Sequence, residues 1–370
     1  MKAVLKLIKK DLVLTASFIL FVVLLVLFPK FIKKYPAFIN WRTIFSLAGL
    51  ILITTGIRNS NYFEQLTVRL LGKFRSERKL FLSVVLFSAF LSTFLTNDIT
   101  LFIIVPLTVS IALALENDIG KLLIFETIAV NVGSALTPIG NPQNIFIYRR
   151  WDVPFDEFIF KMAPVTFLMM VLLFLLVVIF SSGRNLKMKK GIKTIKIDKP
   201  LFYLSLVMLA LFIIAMEVNI ETYAFFMVLI IYLLVRRDVI YKSDWLLLLL
   251  FIIFFVDFGI LGNLEIIRKL MHGLNLRSER IILTTSAVLS QIMSNVPAAI
   301  FMANFTDRWL PIAYGVNIGG NGIIIASLAN LITLRLSGRR DFFWKFHIYS
   351  IPFFVLSFIL TLIFIIPIFR

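Results

Sequence analysis

Asp98 is an acid in a stretch that otherwise runs apolar, and it follows Thr96 and Asn97 directly. A carboxylate at membrane depth costs on the order of 2.5–3.5 kcal/mol on insertion scales, so it usually has a task there. It is a candidate proton carrier and a candidate cation ligand. The competing role is that of a cap on the helix segment that starts at the break. Asn97, and far along the chain Asn295 in Ser294-Asn295-Val296-Pro297, each offer an acceptor oxygen and two donors. An amide of that kind serves a cation through oxygen or an anion through N–H. Two longer polar clusters accompany them. The first is Asn131-Val132-Gly133-Ser134 through Thr137-Pro138-Ile139-Gly140-Asn141-Pro142-Gln143-Asn144, and the second is Asn317-Ile318-Gly319-Gly320-Asn321 through Ser327-Leu328-Ala329-Asn330. Gly133, Gly140, Gly319 and Gly320 admit backbone close to a ligand. Pro138 and Pro142 free carbonyls from a helix ladder. Thr96, Thr137, Ser294 and Ser327 add hydroxyl oxygens. Helices that begin at such breaks aim N–H groups and positive dipole ends into the pocket, which suits a carboxylate or oxyanion. Carbonyls at segment ends suit Na⁺, for which Asn97, Asp98 and Asn295 are the candidate ligands. No Arg or Lys lies in the four clusters. An anion would therefore be held by dipoles, amides and a co-bound cation.

These clusters need a membrane around them. The chain of 370 residues is 60% hydrophobic, with mean hydropathy +0.97. Soluble chains run about 45–50% apolar. Each cluster interrupts a strongly apolar flank, and non-helical backbone survives at membrane depth only where protein or water satisfies it. Apolar spans are expected near 12–28, 41–57, 122–148, 160–180, 201–215, 223–235, 245–259, 310–334 and 346–369. The stretch 80–115 is too long for one span and breaks at Thr96-Asn97-Asp98. It reads as a re-entrant hairpin, which buries Asp98, or else as two crossings. The stretch 281–305 is the second hairpin. Residues 58–79 and 264–276 have helical apolar spacing and read as interfacial helices. The basic residues of 1–11 precede a retained first helix, with no cleavage site after it. The net charge of +18 arises from basic residues in short segments between spans, so nucleic acid is not implied. There is no cysteine, and the two histidines, His272 and His347, are too few for a His-based metal site.

The halves repeat. Gly56 pairs with Gly259, Arg75-Ser76-Glu77-Arg78 with Arg277-Ser278-Glu279-Arg280, Asn131-Val132-Gly133 with Asn317-Ile318-Gly319, and Asn144 with Asn330. This gives residues 1–182 as a first transmembrane repeat and 183–199 as a basic cytoplasmic linker. Residues 200–370 supply a linking helix and a second repeat. About nine crossings follow, so the second repeat starts from the opposite face and is inverted. Most of the 38 Lys and Arg fall on the N-terminal side. That places the N-terminus in the cytoplasm and the C-terminus outside, in the plasma membrane.

The four clusters together resemble the ion transporter superfamily. That group includes citrate-transporter-like permeases, arsenite-pump membrane subunits, sodium/proton antiporters and divalent-anion/sodium symporters. The resemblance covers nearly the whole chain. It implies an all-α polytopic membrane protein of two inverted repeats, each with a re-entrant hairpin and a discontinuous helix. It further implies secondary active transport, often by an elevator motion, and frequently a homodimer. The symporters carry Ser-Asn-Thr at both tips, whereas here the tips are Thr96-Asn97-Asp98 and Ser294-Asn295-Val296. The acid is closer to the arsenite-pump and antiporter branches. The expected function is transport of a small anion coupled to H⁺ or Na⁺, with no cofactor beyond that ion. The alternative is a cation/proton antiporter or arsenite efflux permease using Asp98. No ATP-binding loop is present, so energy comes from an ion gradient or from a separate ATPase subunit. His-Glu-x-x-His and Ser/His pairings are also missing, which argues against an intramembrane enzyme.

Overall fold

The computed structural model describes residues 12–63, 65–66, 76–114, 120–185, 196–339 and 341–369. Among these, apart from short connections, everything is helix, with one isolated bridge between Ser76 and Asn185. The basic segment 1–11, residues 64 and 67–75 of the interfacial helix expected over 58–79, and the middle of the basic linker lie outside the described residues.

The first half contains α1 (Leu12–Leu27), α2 (Trp41–Asn59), α3 (Glu77–Phe94), α4 (Asn97–Ala114), α5 (Gly120–Ser134), α6 (Pro142–Trp151) and α7 (Phe155–Phe180). The second contains α8 (Lys199–Glu217), α9 (Glu221–Val235), α10 (Arg237–Lys242), α11 (Trp245–Gly262), α12 (Glu265–His272), α13 (Glu279–Met293), α14 (Asn295–Met302), α15 (Trp309–Gly319), α16 (Leu328–Ser337) and α17 (Phe342–Leu360). The chain is an all-α polytopic membrane protein. α7, α8, α11 and the run Phe342–Ile365 are each long and apolar enough to cross a bilayer. They also carry exposed large apolar groups such as Phe167, Ile179, Leu211 and Ile359, a surface that suits lipid.

Local chemistry sets the boundaries. Pro29 lacks an N–H and ends α1, and the chain turns by 110° into Pro29–Phe38. Asn40 caps α2 by accepting from the Thr43 N–H at 3.0 Å. Asp198 caps α8 through the Leu201 N–H at 3.1 Å and pairs with Arg236. That ion pair holds the Asp198 carboxyl below its ordinary range. Asp244 caps α11 through the Leu247 N–H. α3 and α13 both begin at the Glu of the repeated Arg-Ser-Glu-Arg, after Ser76 and Ser278.

Packing follows a repeated scheme. α3 lies on α5, and α13 lies on α15; α4 packs against α16, and α14 packs against α6. The second arm after each tip thus contacts the broken helix of the other half. α2 is buried along nearly its whole length between α8 and α9. Those helices carry none of the polar clusters, and they frame the group that does. α12 leaves Ile266 and Leu270 exposed, as an interfacial helix would.

Candidate functional site

The two interrupted spans break where the sequence places the clusters. α5 stops at Ser134 and α6 starts at Pro142, with Asn141 as its N-cap accepting from the Asn144 N–H at 2.9 Å. α15 stops at Gly319 and α16 starts at Leu328, with Ser327 as its N-cap accepting from the Ala329 N–H at 3.3 Å.

The breaks are tied to each other by a reciprocal set of amide bonds. Asn131 Nδ2 donates to Asn330 Oδ1 at 2.9 Å, and Asn317 Nδ2 donates to Asn144 Oδ1 at 2.8 Å. Asn131 and Asn317 are repeat equivalents, and so are Asn144 and Asn330, so one bond maps onto the other when the halves exchange. The caps do the same. Asn141 Nδ2 donates to Asn317 Oδ1 at 3.0 Å, while Ser327 Oγ donates to Asn131 Oδ1 at 3.2 Å. Asn144 and Asn330 spend their remaining donors on carbonyls within the breaks, at Ser134, Ala135 and Thr137 for one and at Gly320 and Ile323 for the other. Asn321 Nδ2 bonds the Asn317 carbonyl at 3.0 Å. These amides are committed to bracing the breaks. Asn321 Oδ1 alone of these amide oxygens lacks a partner among the described residues, and the amides that are satisfied rigidify the site and specify one arrangement.

The tips dock onto the breaks. The Asn97 N–H donates to Gly140 O at 2.9 Å, and Thr137 Oγ1 donates to Thr93 O at 2.6 Å. On the other side Ser294 Oγ reaches Ala326 O at 3.5 Å, and Asn295 Nδ2 stands 2.9 Å from where a Cβ on Gly320 would lie. Ser294 adopts φ +76°, an unusual backbone for a non-glycine residue, and α14 starts at the next residue. Asn97 Oδ1 turns back to accept from the Asp98 N–H at 2.9 Å. Neither Asn97 Nδ2 nor Asn295 Nδ2 donates to any described residue. Thr96, Asn97, Asp98, Ser294 and Asn295 are all buried, and Asp98 Oδ1 has no partner among the described residues.

Gly133 and Gly319 are occupied by packing. A Cβ on Gly133 would stand 2.0 Å from Ala89 O and 2.5 Å from Ser92 Oγ; one on Gly319 would stand 2.7 Å from Ser290 Cβ and 3.0 Å from Ala287 O. A Cβ on Gly140 would strike Ser134 O at 2.3 Å. Their missing side chains let α5 press on α3, α15 press on α13, and the first break fold tightly, so the space is taken by protein. Pro138 is buried in that same break, and Pro142 opens α6.

Charge the sequence did not place at the site also gathers near the first tip. Arg58, Lys242 and Asp244 line a cavity with Thr96 and Asp98, and Arg335 lines an adjoining one with Asp98. These residues come from the C-terminal turns of α2, α10 and α16 and from the N-cap of α11, and nothing in their spacing signals the meeting. A third cavity of about 310 Å³ lies against α6, α11 and α14, lined by Asn40, Arg150 and Asn304 among others, and includes no tip residue.

Other acids are buried away from the first tip. Glu221, at the start of α9, is 1% exposed and sits between Arg42 Nε at 2.9 Å and Arg149 Nη2 at 3.8 Å. Arg149 is buried and also meets Ser46 Oγ and Asn219 Oδ1, each at 3.2 Å. Arg42 additionally reaches Asp152 and Asn219. Burial of the Arg149 guanidinium, with the part-buried Arg42 beside it, explains why an acid is drawn in rather than left in water. Glu126 is buried in α5 and accepts from Thr108 Oγ1 at 2.7 Å, facing α4. Asp257 is buried in α11 with neither oxygen partnered among the described residues.

Comparison with known proteins agrees with this architecture. Residues 3–308 match the family model described as citrate transporter. The inner membrane protein YbiR of Escherichia coli is 40% identical over 320 residues, which cover 86% of each chain. An uncharacterized transporter of Methanocaldococcus jannaschii is 38% identical over 303 residues, 81% of this chain and 82% of that one. An uncharacterized transporter of Mycobacterium tuberculosis is 26% identical over 365 residues, 85% and 83% of the two chains.

Proposed function

The chain belongs to the citrate transporter family and is a membrane transporter, not an enzyme, and from that premise we propose that it carries a small carboxylate or oxyanion by secondary active transport coupled to H⁺ or Na⁺. The observation that carries this reading is the pair of tip amides. Asn97 and Asn295 are buried at the starts of α4 and α14, beside breaks where α6 and α16 also start, and both keep Nδ2 donors that no described residue accepts. Four helix N-termini then belong to one hydrogen-bonded cluster. Together they favour negative charge without a fixed cation at the tips. Thr96, Asp98 and Ser294 supply oxygens for a coupling ion beside that anion. The Asn131, Asn141, Asn144, Asn317, Asn321 and Asn330 amides hold the breaks in register.

The reciprocal amide bonds support two repeats, 1–182 and 200–370, of inverted topology with re-entrant hairpins. A sliding, elevator-type exchange moves the braced cluster against the α2–α8–α9 frame. The N-terminus is cytoplasmic in this reading, the protein sits in the plasma membrane, and two copies form the transporting unit. A second reading, exchange of a cation for protons, is favoured by one feature: Asp98 is buried, and its Oδ1 has no partner among the described residues.

Purified protein in liposomes separates the two. Uptake of citrate, succinate, sulfate and arsenite should be measured under imposed Na⁺ and H⁺ gradients, alongside Na⁺ itself. The anion reading expects gradient-driven accumulation of at least one of citrate, succinate or sulfate. Sodium–proton exchange with no accumulation of any of the three establishes the antiporter reading instead.

A further inference from the structure

The cavity against α6, α11 and α14 and the two adjoining cavities at the first tip are counterparts under the repeat. Ile300 lines the former and Phe102 the latter, each five residues after its tip asparagine, Asn295 or Asn97. Phe146 and Ile332 likewise stand two residues after Asn144 and Asn330. Asn40 and Asp244 each cap the helix that follows, through the N–H of Thr43 and of Leu247. In both places the space lies where the arm after a tip crosses the second segment of the other half's broken helix.

The counterparts occupy opposite ends of the same two helices. Asn40, just before α2, lines one cavity, while Thr55 and Arg58, near the end of α2, line a cavity at the first tip. Along α11 the order reverses. Leu247, near its start, lines the first-tip cavities, and Gly259, near its end, lines the other. α2 and α11 have 19 and 18 residues. At a rise of 1.5 Å per residue they separate the cavities by about 27 Å, close to a bilayer core of about 30 Å.

The cavity of about 310 Å³ at the start of α2 has a basic lining, and no acid lines it. Asn40 spends Oδ1 on its cap, and its Nδ2 has no acceptor among the described residues. Arg150 is in the last turn of α6, exposed, with its guanidinium carbon 5.7 Å from the centre of the Trp151 ring. It makes no hydrogen bond or ion pair with any described residue. Asp152, the acid nearest in sequence, is taken by Arg42. Asp257 is two residues from Phe255 and from Gly259, so it lies about 200° around α11 from the wall they form. An arginine left with its fork open is suited to two oxygens of a carboxylate, sulfate or phosphate at once.

We propose that the cavity against α6, α11 and α14 is a second mouth of the transport path, on the membrane face opposite the first-tip cavities, and that Arg150 binds the carboxylate or oxyanion there on its way to or from Asn295. The role of Arg150 rests on the anion reading of the site; the placement of the two mouths does not.

The chain has no cysteine, so single reporters are clean. Ala303→Cys in the second mouth and Leu247→Cys in the first are labelled with an impermeant maleimide in right-side-out and inside-out membrane vesicles. Each should label from one face, and the two faces should differ. Should Ala303→Cys not fold, Ala37→Cys in the same wall takes its place. Citrate, succinate, sulfate or phosphate, whichever is carried, should slow labelling at Ala303→Cys. Arg150→Gln should abolish that protection and raise KM roughly tenfold for anion presented on that face, leaving KM on the other face within about twofold. Arg150→Lys should fall between, since it keeps the charge and loses the fork. Labelling of both reporters from the same face, or of neither second-mouth reporter, overturns the second mouth whatever the substrate is. Opposite-face labelling with an unchanged KM in Arg150→Gln, while wild type carries an anion, overturns the role of Arg150 alone. Opposite-face labelling in a protein that carries no anion keeps the two mouths and overturns the anion reading together with Arg150.

Discussion

Asp98 concentrates the question of coupling in a single carboxyl. Its N–H is taken by Asn97 Oδ1, so its backbone is fixed, while Oδ1 of its own side chain has no partner among the described residues. A residue serving only to cap α4 would turn an oxygen back to the first-turn N–H groups; Asn97 performs that turn instead. Asp98→Asn preserves size and hydrogen-bonding capacity but removes ionisation. It is expected to leave folding intact, to flatten the pH dependence of uptake, and to slow concentrative uptake more than substrate counterflow. A variant with the wild-type pH profile and the same accumulation ratio shows that the coupling ion is held elsewhere. Asp98 and the two tip asparagines were legible in the sequence because polar residues inside apolar runs carry a cost. Arg58 and Lys242 were not. A basic residue at a span end is what topology alone requires, and only the fold shows which of them leans over a cavity.

Among the elements, α6 links the site to the frame. Its N-terminus carries Asn141 and Asn144, and two turns on Arg149 is buried against Ser46 of α2 and Glu221 of α9. Tyr148 Oη adds a bond to Glu217 at 2.8 Å. The broken helices themselves could be read from Gly, Pro and Asn in apolar flanks. The ionic cluster could not, because Glu221 follows a short turn and has the local signature of a solvated end, while its partners lie in distant helices. Removing one member of a buried ion pair leaves the other charge stranded, at about 3 kcal/mol. Glu221→Ala should therefore lower the thermal unfolding temperature of the detergent-solubilised protein. Adding Arg149→Met should recover most of the loss, as a double-mutant cycle would record. Equal losses from the two substitutions, simply additive, would show that the pair is not coupled.

At the scale of the whole molecule, the feature that organises everything is the exchange of equivalent bonds between halves. Asn131 meets Asn330 as Asn317 meets Asn144, and α4 packs on α16 as α14 packs on α6. The sequence showed the correspondence of motifs, and the pairing across halves needed coordinates, since a repeat does not say which copy touches which. Two tips bound into one cluster should act as one site. The most direct measurement is the initial rate of substrate uptake by Asn97→Ala and Asn295→Ala in liposomes, normalised to the amount of folded, correctly inserted protein. Loss of most of the transport in both variants is the predicted result. A well-folded Asn295→Ala protein that transports at the wild-type rate would contradict a site built from both tips.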